Sequence, residues 1–417
     1  MKKMKRVAVI GMGASGCMAA VSAAEHGASV ELFERNEKIG KKIYITGKGR
    51  CNVTNATPMP EFLDGIVRNR KFLLSAFHAF SNQDLIEFLE REGLPLKTER
   101  GARVFPASDH ASDVNKTLER ALIRRGVVLH YHGRVSEIVR SGARFFLRFT
   151  QGGRTDEFDC VIVCCGGLSY PLTGSTGDGY RFAEAFGHTV QPCTPSLVAF
   201  KLKEEWIAEW EGLSLKNVAL RVRCGKSMTQ EIGELLFTRD GISGPLVLSA
   251  SARISGREEE VQCVEIDWKP GMSDDALAAK IRRFREEGPN RQLKTLLESM
   301  LPKRAVQRMS CCASLPLLQP LHQLTKEQLN RLCHILKHFP LTLHRLGGFN
   351  EAVVTRGGVC VKEVQPSTME SKYEKGLFFA GELLDVDGFT GGYNLQIAFS
   401  TGWLAGRSAA QEEEIDG

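Results

Sequence analysis

Residues 6–34 constrain this chain more than any other stretch. Val7–Ile10 is a short apolar run with β character, GMGASG follows at 11–16, and Ala14–His26 is Ala-rich with helical periodicity. Gly27 ends that helix, and Ser29–Glu34 is a second β run. This order is one βαβ unit, the context in which G-x-G-x-x-G has a mechanism. Gly11 permits the tight turn, Gly13 lets the backbone approach a pyrophosphate, and Gly16 lets helix and strand pack closely. The helix opens at Ala14 and Ser15, where unpaired N–H groups and the positive dipole end face an anion. Glu34 ends the second strand, 23 residues after Gly11. A carboxylate there accepts hydrogen bonds from a ribose diol and disfavours a 2′-phosphate, and the adjacent Arg35 is counted with the same site.

With 417 residues the chain has room for two or three domains and sizeable cores. Its net charge of +6 and pI near 8.7 permit acidic partners, RNA included, without demanding them. The twelve cysteines include no CxxC pair, and the doublets Cys164–Cys165 and Cys311–Cys312 have no second pair with which to clamp a metal. They are expected to be reduced thiols, with no metal. Lys2, Lys3, Lys5 and Arg6 followed by an apolar run, then Ala14-Ser15-Gly16-Cys17, loosely mimic an export signal. The apolar core is too short and is broken by Gly11 and Gly13. No run approaches the roughly 20 apolar residues of a membrane span, so the expected location is the cytoplasm.

Along the chain, helical patterns are expected at about 69–92 and 111–125 and β signals at 127–149, with Gly152-Gly153 as a hairpin turn. Residues 36–60 are expected as a Gly- and Lys-rich loop, and Asp159–Cys165 as a buried strand. From 196 to 270 the pattern is mostly strands, namely Leu197–Leu202, Val218–Val222, Leu235–Thr238 and Val261–Ile266. From 271 to 344 it is mostly helices interrupted by prolines. Leu377–Ala380 is again a strand, Ile397–Ala410 a helix, and the acidic tail Glu412–Asp416 is expected to fray. The resulting organisation is an α/β dinucleotide-binding domain from 1–195 and 345–417, interrupted by an insert at 196–344.

Three further segments carry chemistry. GKKIYITGKGRCNVTN at 40–55 is not a P-loop, because Walker A needs Gly at 42 and Ser or Thr at 49, where Lys42 and Gly49 stand. It is expected to fold over a cofactor docked on GMGASG, with Gly47, Gly49 and Asn52 at the loop. Lys41, Lys42, Lys48 and Arg50 would then neutralise the diphosphate. The run at 159–167 ends in Gly166-Gly167, a turn back to the cofactor edge. GLFFAGELLDVDGFTGGYNLQIAFSTG at 376–402 has a strand ending at Gly381-Glu382, whose carboxylate suits a ribityl hydroxyl. Gly391-Gly392-Tyr393-Asn394 then turns into a helix whose N–H groups would stabilise reduced flavin. Two cofactor segments at opposite ends of the chain suit FAD better than NAD alone. No second G-x-G-x-x-G lies between strand and helix, so NAD(P)H binds transiently over the flavin or the flavin is reduced another way.

These segments, together with GGLSYPLTGSTGDGY at 166–180, FTRDGISGP at 237–245 and GGVCVKEVQPSTMESKYEKGLFFAGELLDVDGFTGGYNLQIAFSTG at 357–402, resemble the HI0933-like (YhiN-like) family of FAD-dependent oxidoreductases over nearly the whole chain. The resemblance implies a glutathione-reductase-type FAD-binding Rossmann domain with an inserted β-barrel-like plus helical domain. It implies FAD on Gly11, Gly13, Ser15, Gly16, Glu34 and Lys42 and on the 391–396 turn, which adds Gly392, Asn394, Leu395 and Gln396. It also implies an adenine contact through the Val135 backbone. Activities linked to the family include reduction of a bile-acid C=C bond, an aminoacetone oxidase-like activity and reduction of a uridine of ribosomal RNA. Arg239 and Arg356 depart from the expected pattern, which has a histidine and a small residue there.

The leading expectation is an NAD(P)H-driven reductase of an activated C=C bond, with Cys51 or Tyr393 as the acid that protonates the neighbouring carbon. Cys51 has an equally good reading as a packed thiol. For RNA, the insert offers Arg282, Arg283, Arg285, Arg291, Lys294, Lys303, Arg304 and Arg308, interleaved with Glu286, Glu287 and Glu298, so a solvated helix face explains them too. An amine oxidase that makes peroxide, and a non-catalytic protein stabilised by flavin, are the alternatives.

Overall fold

The computed structural model describes residues 4–151 and 155–411, so the Gly152-Gly153 turn, the acidic tail, Lys2 and Lys3 lie outside the described residues. The chain forms two compact units, one of residues 1–196 with 348–417 and one of residues 197–347.

Unit one is built on a five-stranded sheet. Its strands are Arg6–Ile10 (β1), Ser29–Phe33 (β2), Val128–His130 (β3), Cys160–Val163 (β4) and Leu377–Phe379 (β5), in the order β5-β4-β1-β2-β3. Every pairing is parallel. Val7, Ala8 and Val9 and the whole of β4 are buried, as expected of strands covered on both faces. From β1 the chain steps outward to β2 and β3, then returns to the other side of β1 for β4 and β5. The strand order therefore reverses between β1 and β4, and the crevice outside the carboxyl ends at such a reversal is where these sheets bind ligands.

The glycine-turn helix Ala14–Glu25 packs against the closing helix Tyr393–Ala410. Gly402 and Gly406 make the approach close: a Cβ at either would overlap the backbone carbonyl oxygen of Ser15 or of Ala19. The two ends of the chain are thus locked together directly behind the glycine turn.

Unit two contains a seven-stranded antiparallel sheet. Its two edge strands, Phe339–Leu341 and Leu343–Leu346, are separated by Thr342 alone. One short stretch of chain therefore pairs with both ends of the sheet, which must curl into a barrel-like shape. Five helices, Pro245–Ile254, Asp274–Glu287, Leu293–Glu298, Lys303–Ala313 and Lys326–Lys337, complete the unit.

Several boundaries differ from the sequence expectations. The pattern at 69–92 breaks into a turn at Arg70–Leu73 and helices at Leu74–Ala79 and Asn82–Arg91, because Ser81 and Asp84 form a capping box that starts a new helix. Leu197 has φ of 56°, so its strand begins only at Phe200. The region 196–270 also holds the helix Pro245–Ile254, launched by Pro245 in its first turn. Residues 36–60 contain the helical turn Lys41–Ile45 and the strand Thr54–Asn55, which joins Leu96–Glu99 and Arg103–Pro106 in a small sheet. The closing helix starts at Tyr393 rather than 397, because Gly392 at φ of 100° lets the chain enter it early.

Candidate functional site

The glycine turn is fixed from three sides. Gly11 N–H donates to the Phe33 carbonyl at 2.8 Å, Met12 N–H to Glu34 Oε2 at 2.9 Å, and Gly40 N–H to the Met12 carbonyl at 2.8 Å. Gly11 sits at φ of 105°, and a Cβ there would lie 2.5 Å from the Cys164 carbonyl oxygen. A Cβ at Gly16 would overlap the Gly11 oxygen. Gly13 is different, because a Cβ there would meet nothing within 4 Å. Its Cβ position therefore looks onto open space, beside a helix N-terminus with no side-chain cap. A concave, donor-rich opening of this kind fits a diphosphate.

Glu34 is buried, and its carboxylate is already engaged. Besides Met12, it accepts from Asn36 N–H at 2.9 Å and from Asn36 Nδ2 at 2.6 Å. It shapes the turn and keeps lone pairs that a ribose hydroxyl could use. Arg35 donates to Thr176 Oγ1 at 2.6 Å and pairs with Asp178 at 3.2 Å, which ties the strand end to the 174–178 loop. The chain at 130–135 crosses Glu34, with Glu34 N–H on the His130 carbonyl at 2.9 Å and Gly133 N–H on the Glu34 carbonyl at 2.8 Å. Val135 opens its strand two residues after this crossing of Glu34.

The far end of the chain reaches the same place. Gly381, at φ of 79°, lies so close to the glycine-turn helix that a Cβ would sit 2.5 Å from Ser15 Oγ. Next to it, Glu382 accepts from Ser169 Oγ at 2.5 Å and from Thr355 N–H at 2.9 Å, and pairs with Lys42 Nζ at 2.5 Å. Lys42 also donates to Ser169 Oγ at 2.5 Å. A Cβ at Gly167 would overlap Thr355 Oγ1, and one at Gly166 would lie 2.9 Å from Ser175 Oγ. Ser169 and Thr355 carried no expectation from sequence, since only tertiary contact brings positions so far apart onto one carboxylate.

The 40–55 segment links the two motifs. It starts on Met12, passes Glu382 through Lys42, and ends where Asn55 Nδ2 donates to the Gly391 carbonyl at 3.1 Å. A Cβ at Gly392 would overlap the Thr54 backbone. Asn52 Oδ1 is buried without a hydrogen-bond partner in the protein, a feature that calls for a ligand donor or water. Gly47 and Gly49 have φ of 56° and 86° and are exposed.

Some expected roles change. Three of the four cations of this segment are engaged by carboxylates: Lys42 pairs with Glu382, Lys41 with Glu37 at 2.9 Å, and Arg50 with Glu99 and Asp109, both at 2.5 Å, while Lys48 is exposed. Carboxylates already offset those three charges. Cys51 has no exposed surface, and burial pushes its thiol up to about 12. A thiol sealed in the core has no open path to a substrate, which is the geometry of the packed reading. Tyr393 is half-buried, and its ring lies 4.7 Å from the Phe62 ring and against Gly65. Burial first, then Asp64, raises its hydroxyl pKa, which makes it a weaker acid. Gln396 is fully buried and turns inward, accepting from Thr54 Oγ1 at 2.7 Å and donating to Ser400 Oγ at 2.9 Å. Asn394 clips its own loop through the Gly388 N–H and carbonyl, both at 2.8 Å. Leu395 is half-buried in the first turn of the closing helix.

Of the eight basic residues considered for RNA, six are engaged within unit two. Arg283 pairs with Glu287 at 2.8 Å and Lys294 with Glu298 at 3.9 Å. Arg285 and Arg304 donate to backbone carbonyls, while Arg291 and Arg308 lie over Phe284 and Trp206. This is mostly the arrangement of a solvated helical face. No helix among the described residues is long and apolar enough to cross a membrane.

Comparison with known proteins agrees with this frame. The model of the HI0933-like protein Rossmann domain matches residues 5–408. A 3-dehydro-bile acid delta(4,6)-reductase of Clostridium scindens is 34% identical over 98% of this chain and 100% of its own length. A ribosomal RNA dihydrouridine synthase of Haemophilus influenzae is 32% identical over 97% of this chain and 98% of its own. Among solved structures, the 3-ketosteroid-delta4-(5alpha)-dehydrogenase of Rhodococcus jostii RHA1 shares the fold at a TM-score of 0.52 and 16% identity, covering 99% of this chain and 98% of its own.

Proposed function

Because this chain belongs to the HI0933-like family of FAD-dependent oxidoreductases, we propose that it is a reductase that saturates a C=C bond conjugated to a carbonyl, with NAD(P)H as transient hydride donor. The observation that carries this reading is the pair of relatives aligned nearly end to end. One is named for reduction of a bile-acid intermediate and the other for synthesis of dihydrouridine. Both names denote hydrogen added across a C=C bond that a nearby carbonyl polarises. A uridine of ribosomal RNA and a small enone are therefore the two acceptors of interest.

The residues present fit FAD. The diphosphate would lie over Gly13 at the open end of the glycine-turn helix, with the ribose near Glu34 and Arg35 and the adenine near the Val135 backbone. Gly166, Gly167, Gly381 and the orphaned oxygen of Asn52 line the approach to the closing helix. Bound FAD supplies hydride transfer between donor and acceptor. The chain contributes the rest. The uncapped N-terminus of the closing helix directs partial positive charge outward, and the Lys42–Glu382–Ser169 network pins the 40–55 segment.

Anaerobic mixing of the FAD-loaded protein with NADPH or NADH, followed at the flavin absorbance band, tests the donor. Reoxidation by a uridine-bearing rRNA fragment or by an enone, with two hydrogens gained in the product, then tests the acceptor. A salt-sensitive response to RNA alone would select the nucleic acid. Reduction only by an amine, with peroxide formed at turnover rates, would refute the reading.

A further inference from the structure

His188 is a titratable group that the site above does not use, and its side chain is fully enclosed, with 0% exposure. Its ring centroid lies 4.9 Å from that of Tyr373 and 4.7 Å from that of Phe379, and Nε2 stands 2.7 Å from Ser371 Oγ. Ser371 Oγ also accepts from Tyr373 N–H at 3.0 Å and from Glu374 N–H at 2.9 Å. A hydroxyl has two lone pairs and one hydrogen. The two N–H groups occupy the lone pairs, so the hydroxyl hydrogen goes to Nε2 and the ring proton sits on Nδ1. Nδ1 has no hydrogen-bond partner among the described residues, and Glu363 Oε2 lies 3.6 Å from it. Thr189 N–H holds that carboxylate in place at 2.7 Å. The site is therefore built around a neutral imidazole.

Ser371 belongs to the stretch that covers the outer edge of β5. Ser371 N–H donates to the Leu377 carbonyl at 2.7 Å, Phe379 N–H donates to the Met369 carbonyl at 3.1 Å, and Glu370 bridges Phe378 in antiparallel fashion. On its other side β5 pairs with β4. Two residues past Phe379 the chain reaches Gly381 and Glu382, assigned above to the cofactor. His188 thus holds the covering turn through Ser371 and packs on the strand through Phe379.

A second ring proton upsets this arrangement. Nε2 becomes a donor, so Ser371 Oγ would have to accept from three donors with two lone pairs. One backbone N–H at 373 or 374 is then left without its acceptor, which favours opening of the turn. Burial lowers the pKa of His188, against the opposing pull of Glu363. The other nearby carboxylates are engaged elsewhere: Glu374 pairs with Arg140 at 3.4 Å, and Glu370 accepts from Gly376 N–H at 2.7 Å. Below the ordinary imidazole value of 6.5 the native state holds fewer protons than the unfolded chain, so this stability is present above that value and lost as pH falls.

We propose that His188 is the pin of an acid-sensitive latch: its second proton frees Ser371 and the 369–376 segment, uncovers the edge of β5 and lowers the affinity for FAD at Gly381 and Glu382. The latch rests on the assignment of FAD to those two residues and not on the identity of the acceptor.

The test uses the full chain, with and without FAD. Hydrogen exchange at residues 369–379, corrected for its intrinsic dependence on pH, and FAD titration by fluorescence quenching are followed from pH ~8 to ~5, the range in which an imidazole titrates. Protection should fall, and the Kd for FAD should rise, by up to about tenfold for each pH unit below the titration, the limit for one proton. His188→Gln keeps an oxygen that accepts from Ser371 and takes no proton, so both curves should flatten. Glu363→Gln removes the carboxylate that offsets the imidazolium, so the step should move to lower pH. That variant leaves His188 in place, and so decides the matter should His188→Gln misfold. The same acid loss in His188→Gln, or an unmoved step in Glu363→Gln, overturns the latch and leaves the reductase reading standing. A step in exchange with a flat FAD affinity overturns the link to the cofactor. A step in exchange from a chain that binds FAD at no pH keeps the latch and overturns the FAD assignment, and the reductase reading with it.

Discussion

Replacing Gly13 with Ala should separate binding from folding. Gly13 has φ of −82° and ψ of −171°, which Ala adopts without strain, and the new methyl meets no protein atom within 4 Å. Ala is a poorer N-cap than Gly, yet it lowers the entropy of the unfolded chain, and the two effects oppose each other at ~0.5–1 kcal/mol each. The flavin-free protein should therefore keep its stability within about 1 kcal/mol. The methyl instead occupies the space assigned to the diphosphate. Pushing a phosphate off the helix N-terminus forfeits at least one charge-assisted hydrogen bond, ~2 kcal/mol, or about 30-fold in Kd. Gly16→Ala is the control, because its methyl would overlap the Gly11 carbonyl and overpack the fold itself by ~1–3 kcal/mol or more. The assays are thermal unfolding of the stripped protein and FAD titration by fluorescence quenching. A Gly13→Ala protein that binds FAD like wild type, or whose flavin-free form melts as early as Gly16→Ala, would refute the assignment.

Asp387 should destabilise the flavin-free fold above its titration. Its folded value of about 6 lies above the ordinary 3.8, so the native state holds a proton that the unfolded chain has released between those values, and stability falls as pH rises through that window. About 2 pH units correspond to ~3 kcal/mol, so Asp387→Asn should gain up to that amount above pH ~7 and nothing below pH ~4, as urea unfolding at several pH values would show. Gly402→Ala or Gly406→Ala should force the glycine-turn and closing helices apart, costing ~1–3 kcal/mol or more and weakening flavin retention together, measured by melting and by bound-flavin absorbance. Lys42→Met leaves the Glu382 carboxylate without its cation, at a cost of ~1–3 kcal/mol, and should loosen the 40–55 segment as seen by hydrogen exchange at residues 42–55. Cys51→Ala should retain FAD and turnover, and lost turnover with FAD still bound would restore the thiol as a candidate acid.

How much could be read in advance depended on the distance over which each cause acts. The βαβ unit was legible because β1, GMGASG and Glu34 are local, although the closest neighbour of Gly11, the Cys164 carbonyl, comes from far along the chain. The small departures were local too. Ser81 with Asp84, Gly244-Pro245 and Gly392 were visible capping or entry signals that outweighed the longer periodicity around them. The Lys42–Glu382 pair was not legible, since 340 residues separate its members. Without that partner Lys42 looked like a phosphate ligand. Cys51 read equally as an acid and as a packed thiol from its motif, and its burial follows from packing that no motif expresses.

The amino-acid sequence alone determined the Rossmann-type cofactor frame and the family, because glycines at fixed offsets between a strand and a helix have few other uses. It also raised the expectation that segments at both ends of the chain meet, and the structure brings Gly381 against Ser15. Tertiary structure decided which charges are spent on one another and which remain to act. Lys42 and Arg50 are paired with carboxylates brought in through the fold. Asp387, unremarkable in sequence, is taken out of water beside Arg68. Electrostatic roles depend on burial and on partners within a few ångströms, and both are properties of the folded chain.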